Sequence, residues 1–352
     1  MSNLSLPTRK IGNDNVTAIG FGAMGIGGVG YWNSEAGKTG DDESRFKVLD
    51  KLLELGCTNW DTANIYGDSE NLIGKWFKRT GKRDQVGKVT WFIVNQHTQF
   101  GITQNGPRGD PEYVKECIDR SLERLGVDVI DLYYVHRVDS NVPIEITMNA
   151  LADLVRQVHP GKIRYIGLSA PSPATLRRAH KIHPIAAIQV EYSAFVTEIE
   201  AEGHLLDTAR ELGIAIVAYS PIGKSLLNGR IKTRSDLPEG DLRLSIPKYS
   251  EENFPKIMAL VAKLHEIGKA HNASATQVAL AFLLAQGDDV IPIPGTKNVD
   301  YVEENLAAAH VNLTLDELQA IRKAIKETEV SGDRYPPMFM KMMYRDTPEL
   351  SG

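Results

Sequence analysis

The chain has 352 residues, 42% of them hydrophobic and 24% charged, with a formal net charge of −5. That composition is ordinary for a globular protein and excludes wholesale disorder, a collagen-like chain and a coiled coil. The acidic balance disfavours a nucleic-acid partner, and no apolar run approaches the roughly 20 residues of a membrane helix. The polar start, Met1 to Lys10, has no signal-peptide core. Cys57 and Cys117 alone cannot form a disulfide framework or a zinc site. A cytoplasmic protein is expected, without nucleic acid, membrane or metal as partner. The sequon Asn272-Ala-Ser274 reads as chance in that setting.

In chain order, residues 7–16 come first; their Gly-Asn-Asp-Asn turn signal predicts a hairpin that closes the bottom of the fold. Short apolar runs then recur at 17–21, 58–61, 89–94, 129–135, 163–168, 186–190, 214–219 and 290–293. Most are too apolar for half-exposed strands, so they read as parallel strands buried on both faces. Amphipathic stretches between them predict helices over 42–55, 69–79, 111–125, 144–158, 173–180, 200–212, 252–270, 274–285 and 298–307. The clearest stripe is Val114, Cys117, Ile118, Ser121, Leu122 and Leu125, ending at Gly126, which gives Cys117 a packing role. Ser274 and Gln277 have capping-box spacing.

Units of strand then helix, with no break in composition, predict an α/β fold: a single-domain (β/α)8 barrel over 1–352, its core about 15–328. The alternative is a doubly wound open sheet. Two segments fall outside the alternation, a polar loop at 220–250 and a Met-rich tail at 330–352. Segments of that length are functional or disordered.

A barrel carries its chemistry at the carboxyl ends of its strands. Those ends hold Asp61, followed by Tyr66; then His136, Ser169, Gln189, Tyr219 and Ser220; and finally Pro294-Gly-Thr-Lys297 before a helix. Taken singly, Asp61 reads equally as a turn cap, Tyr66 as a rim aromatic and His136 as a satisfied core histidine. Their convergence at one end points instead to proton transfer to a carbonyl oxygen. Lys297 at a helix start is an anion site, most simply for a phosphate. Gly20-Phe-Gly22-Ala-Met-Gly25 matches a dinucleotide fingerprint, but no helical pattern follows, so its glycines read as a loop that approaches a ligand closely.

Together these stretches resemble the aldo-keto reductases over nearly the whole chain, in the fungal and plant branch that is similar to pyridoxal reductases. The matching text is Gly20-Phe-Gly-Ala-Met24, Asn59-Trp-Asp-Thr-Ala-Asn-Ile-Tyr-Gly67, Asp131-Leu-Tyr-Tyr-Val-His136, Gly161-Lys-Ile-Arg-Tyr-Ile-Gly-Leu-Ser169, Ile188-Gln-Val-Glu-Tyr-Ser193, Ala218-Tyr-Ser-Pro-Ile-Gly223 and Ile293-Pro-Gly-Thr-Lys297. The resemblance implies reduction of a small-molecule aldehyde or ketone by NADPH, with NADH the lesser alternative. It implies Tyr66 as general acid, His136 orienting the carbonyl and Asp61 in the proton-donor network. It implies Ser169 and Gln189 on the nicotinamide carboxamide and Tyr219 stacked on the ring. Ser220, Pro221, Ile222, Lys224 and Ser225 would follow the pyrophosphate. Gly22, Met24 and Gly295 would border the cofactor; Lys297 and Asn298 would meet the adenosine 2′-phosphate, with Glu304 and Asn305 near the adenine. A monomer or weak homo-oligomer is expected.

One departure from that pattern matters. The family's catalytic lysine ends its third strand, and the family spacing from Tyr66 lands on Trp91. Lys88 stands at the start of that run, roughly 17–20 Å from the barrel mouth. Three readings follow: a reductase with a modified site, a faulty gene model over 87–99, or a cofactor-binding barrel with weak or no reductase activity. Smaller departures are Ala170 after Ser169, Lys224 and Asn298 where arginine is common, and His159-Pro160 as an insertion. Trp32, Trp91, Tyr192 and the tail at 338–343 are candidates for an apolar substrate wall.

Overall fold

The turn at Gly12-Asn13 joins β1 (Thr8–Ile11) to β2 (Asp14–Thr17) in the expected antiparallel hairpin. This computed structural model describes residues 5–28, 40–86, 107–156, 161–328 and 330–350. Seven parallel strands lie among those residues: β3 (Phe21–Gly22), β4 (Trp60–Asp61), β5 (Ile130–Val135), β6 (Ile163–Ser169), β7 (Ile185–Glu191), β8 (Ala215–Tyr219) and β9 (Val290–Pro292). β5 to β9 pair in order, and β3 pairs with β4. Backbone bonds from Gly20 N to Pro292 O (2.9 Å) and Gly22 N to Pro294 O (3.2 Å) join β9 to β3. The strand order is therefore β5-β6-β7-β8-β9-β3-β4, a (β/α)8 barrel. The strand expected at 89–94 lies outside the described residues.

The first barrel strand corrects the reading of 17–21. Thr17 still pairs with Thr8 in the hairpin, and Phe21 and Gly22 alone form the barrel strand. The hairpin lays Ile11 and Val16 against Leu132, Tyr134, Ala187, Ala215, Val217 and Ile291 inside the barrel. Alternate residues of the same strands, among them Tyr133, Val135, Ile188, Val190 and Ile216, face the helices instead. This period of two is what a closed sheet with two apolar faces requires. It also fixes the site, since His136, Gln189 and Tyr219 continue the inward parity of Tyr134, Ala187 and Val217.

The helical layer follows the predicted stretches: α1 (Asp42–Glu54), α2 (Ser69–Thr80), α3 (Pro111–Leu125), α4 (Ile144–Arg156), α5 (Pro173–Ile182), α6 (Leu205–Glu211), α7 (Phe254–Ala270), α8 (Ala275–Leu284), α9 (Val299–Ala307), α10 (Leu315–Thr328) and α11 (Pro337–Met340). Asp110 caps α3, with Tyr113 N donating to Oδ1 at 3.1 Å. Val114, Cys117, Ile118, Ser121 and Leu125 are buried on the expected stripe; each fully buried aliphatic contributes roughly 1.5–3 kcal/mol. Ser274 and Gln277 form the expected capping box on α8.

α6 starts five residues later than expected because Gly203 takes a left-handed φ of 74° and breaks the run. α10 and α11 lie where no helix is predicted, although on α10 Thr314 and Glu317 form a reciprocal cap, with Thr314 N donating to Oε2 at 2.8 Å.

Gly167 shows how tightly the interior is filled. A Cβ on it would lie 2.5 Å from Cε1 of Tyr134, so the tyrosine ring occupies the space of the missing side chain.

Candidate functional site

A cavity of about 480 Å³ opens at the carboxyl ends of the strands. Asp61 reaches it from β4, His136 and Arg137 from the end of β5, Gln189 from β7 and Tyr219 from β8. Tyr66 enters on the loop after β4. That loop is held from three sides. Tyr66 N donates to Ala63 O at 2.9 Å. Buried Arg45 of α1 grips Asp68 at 2.6 and 3.0 Å and donates to Ile26 O at 3.0 Å. Gly27 packs so close that a Cβ there would sit 1.9 Å from Tyr66 O.

Asp61 is buried, and its Oδ2 accepts from Gln189 Nε2 at 2.7 Å. Burial pushes this carboxyl well above the usual carboxylate range, against the opposing pull of the Gln189 bond. Burial, and then the charge of Arg137, hold His136 well below the ordinary histidine range, so its ring is neutral. Its Nδ1 is buried and has no partner among the described residues. A neutral imidazole polarises a carbonyl without drawing off the proton meant for it.

The remaining wall is built by the end of β3, by loops and by α9. Gly22, Met24, Ser220, Pro221, Ile222, Lys224, Ser225, Gly295, Lys297, Glu304 and Asn305 all line the cavity. Ser220, Lys224 and Ser225 hold left-handed φ values of 50°, 53° and 72° after β8, and Ala170 one of 44° after β6. Such backbone is costly for residues with a Cβ and gathers where a loop must follow a shape.

Three residues assigned by resemblance sit differently from the rest. The Lys224 ammonium is fully buried in an ion pair with Glu191, so what it offers the cavity is not a free charge. Ser169 Oγ accepts from Arg137 Nη1 at 3.0 Å and lies behind the lining. Asn298 also lies outside the lining and caps α9, with Asp300 N donating to Oδ1 at 2.8 Å.

The reading missed Arg137, Arg230, Arg243 and Tyr301, which all line the cavity. Arg230 covers the Tyr301 ring at 3.7 Å and binds Glu304 at 2.7 Å. Arg243 binds Asp241 at 2.7 Å and donates to Lys224 O at 2.9 Å. Only Arg137 had a legible signal, its place beside His136 at a strand end.

The tail crosses the mouth. Tyr335, Phe339, Met342 and Met343 face the cavity. Tyr344 N then donates to Ala170 O at 2.9 Å, and Arg178 of α5 holds Thr347 O at 2.8 Å. Tyr192 is not part of this wall; it is fully buried and bonds Glu200. Trp32 and Trp91 lie outside the described residues. Among the described residues there is no cluster of metal-ligating side chains, and no helix is long and apolar enough to cross a membrane.

Comparison with known proteins gives the same outline. The aldo/keto reductase family matches residues 18–326. The aldo-keto reductase str7 of Strobilurus tenacellus is 53% identical over 348 residues, covering 99% of each chain. The NADP(+) aldo-keto reductase yakc of Schizosaccharomyces pombe is 45% identical over 350 residues, again with 99% of each covered. The solved glycerol dehydrogenase AKR11B4 from Gluconobacter oxydans superposes with a TM-score of 0.80 over 94% of this chain and 98% of its own, at 24% identity.

Proposed function

The chain belongs to the aldo/keto reductase family, and on that premise we propose an NADP(H)-dependent reductase that turns an aldehyde or ketone into an alcohol with Tyr66 as the proton donor. The observation that carries this reading is the meeting of Tyr66, Asp61 and His136 in one cavity whose wall continues past Ser220–Ser225 to Lys297 and Asn305. That wall suits an extended dinucleotide. Gly22 and Met24 border one side, the left-handed run at Ser220–Ser225 another, and Lys297 and Asn305 the end beyond β9. Lys297 stands just before α9, where free backbone N–H groups and a lysine favour a phosphate. NADPH rather than NADH follows from that lysine, and the NADP(+) relative supports it.

When bound, the cofactor supplies a hydride to the carbonyl carbon. The protein supplies the rest. His136 polarises the carbonyl oxygen, and the Tyr66 phenol gives that oxygen its proton. Burial raises the proton affinity of the Asp61 carboxyl, which disfavours a negative charge in the same cavity as the Tyr66 phenol. We read the chain as one barrel domain carrying its own tail across the site, working in the cytoplasm.

The test follows NADPH absorbance with 4-nitrobenzaldehyde. Wild type consumes the cofactor. Tyr66→Phe loses about 10²–10⁴-fold in kcat yet still quenches its fluorescence on binding NADPH. A wild type that binds NADPH but is silent across a broad carbonyl panel overturns the reading. Trp91→Lys, run beside them, is expected to raise turnover by placing a cation where the family keeps one; equal turnover means that the site works without it.

A further inference from the structure

Arg137 stands directly after His136, is 9% exposed and lines the cavity. Its Nη1 donates to His136 O at 2.6 Å and to Ser169 Oγ at 3.0 Å. Nε and Nη2, the outer edge of the guanidinium, have no acceptor among the described residues, and neither is among the atoms sealed away from open space. The nearest acid in sequence, Asp139, is committed elsewhere, accepting from Gly109 N at 3.0 Å and Asn141 N at 2.8 Å.

The other arginines of the cavity wall differ. Arg230 has Glu304 and Arg243 has Asp241. A guanidinium cannot shed its proton, and a buried cation without a counter-charge is strongly unfavourable unless something else brings one. No described carboxylate brings it, and the cavity that Arg137 lines gives a ligand a way in. β5 and β9 are the two ends of the five-stranded sheet, so Arg137 and Lys297 stand on opposite sides of the mouth. An anion held at Lys297 is therefore a different anion.

We propose that Arg137 is an anion-recognition site for the substrate, and that the preferred substrate is a carbonyl compound bearing a carboxylate. The carboxylate takes two parallel bonds from the Nε–Nη2 edge, the geometry in which guanidinium and carboxylate match best. His136, one residue away, then meets the carbonyl of the same molecule. Ser169 and the His136 carbonyl hold the guanidinium in place through Nη1, which leaves its outer edge ready. This proposal rests on the reductase reading for the carbonyl, but not for the carboxylate.

The test compares 3- and 4-carboxybenzaldehyde with their methyl esters. In wild type, kcat/KM for at least one acid is expected to exceed that for its ester tenfold or more. Arg137→Met brings the ratio to one or below, and Arg137→Lys restores part of it. A ratio near one in wild type, or one unchanged in Arg137→Met, overturns the proposal. So does a rise in the NADPH dissociation constant of Arg137→Met that weakens acid and ester equally, because the anion would then be the cofactor's. Benzoate binding to the NADP(+)-loaded protein, read by thermal shift, is expected in wild type and lost in Arg137→Met. It judges the anion site even if neither aldehyde is reduced, an outcome that would sink the reductase reading alone.

Discussion

The two sides of the cavity treat charge in opposite ways. On the β8 and β9 side, three cations are held in ion pairs: Lys224 with Glu191, Arg230 with Glu304, Arg243 with Asp241. On the β4 and β5 side the groups are held differently. Asp61 is held by the amide of Gln189, His136 has an unpartnered Nδ1, and Arg137 has no carboxylate among the described residues. Paired charges hold loops in a strained path, as the left-handed backbone at Ser220, Lys224 and Ser225 requires. Burial shifts the proton affinities of Asp61 and His136, and the outer edge of Arg137 keeps capacity for a ligand, which chemistry needs. One side of the mouth keeps a shape and the other is ready to react.

The largest expected effect breaks the paired side. Glu191→Gln leaves Lys224 buried without its carboxylate and removes the 3.8 Å partner of Arg334, also buried. The loss is about 3–5 kcal/mol of stability, read by denaturant unfolding. Glu191→Met with Lys224→Met should recover much of it, since a buried pair replaced by apolar volume is often neutral. If the single variant is as stable as wild type, the pairs are not what holds the loops.

The next effect sharpens the reactive side through pH. A carboxyl raised by burial keeps its proton in the folded protein at pH values where the unfolded chain has released it. Asp61 therefore lends stability below the usual carboxylate range and loses it as pH rises toward its folded value. Over that window the slope is about 1.4 kcal/mol per pH unit. Thermal melts of the apo protein should show Asp61→Asn gaining on wild type as pH rises. His136 has the opposite sign: its folded affinity is depressed, so its stability is present above the ordinary histidine range and falls on acidification. Parallel wild-type and Asp61→Asn melting curves would mean that the carboxylate is solvated after all.

The smallest effect concerns Asn298. As a helix cap, its replacement in Asn298→Ala should cost about 0.5–2 kcal/mol of stability and leave NADPH affinity unchanged within a factor of two. A large loss of NADPH affinity would instead return Asn298 to the phosphate clamp.

Much of this was legible in the sequence because both governing periods are short-range. The strand ends placed His136, Gln189 and Tyr219 near the mouth, while the inward parity they share with Tyr134, Ala187 and Val217 emerged only from the fold, because the runs are apolar on both faces. The hairpin announced itself by its turn, and α8 by its capping box. The first strand slipped because 17–21 is an apolar run throughout, and nothing local tells hairpin from barrel. α10 was missed even though Thr314 and Glu317 carry the same spacing that revealed α8. Charge pairing was illegible for a different reason. Lys224 finds Glu191 33 residues back, and Arg230 finds Glu304 74 residues on. No spacing rule reaches across a barrel, so which arginine would be left without an acid could only be learned from the fold.

Gly167 shapes the barrel interior behind the site. Tyr134 fills the volume that any side chain on Gly167 would claim, and its neighbour two residues on is His136. The two positions are in effect one object shared between adjacent strands. Across relatives they should drift together, a larger residue at one answered by a smaller ring at the other. An engineer who wants to change the packing behind His136 would vary that pair together and leave the reacting groups alone.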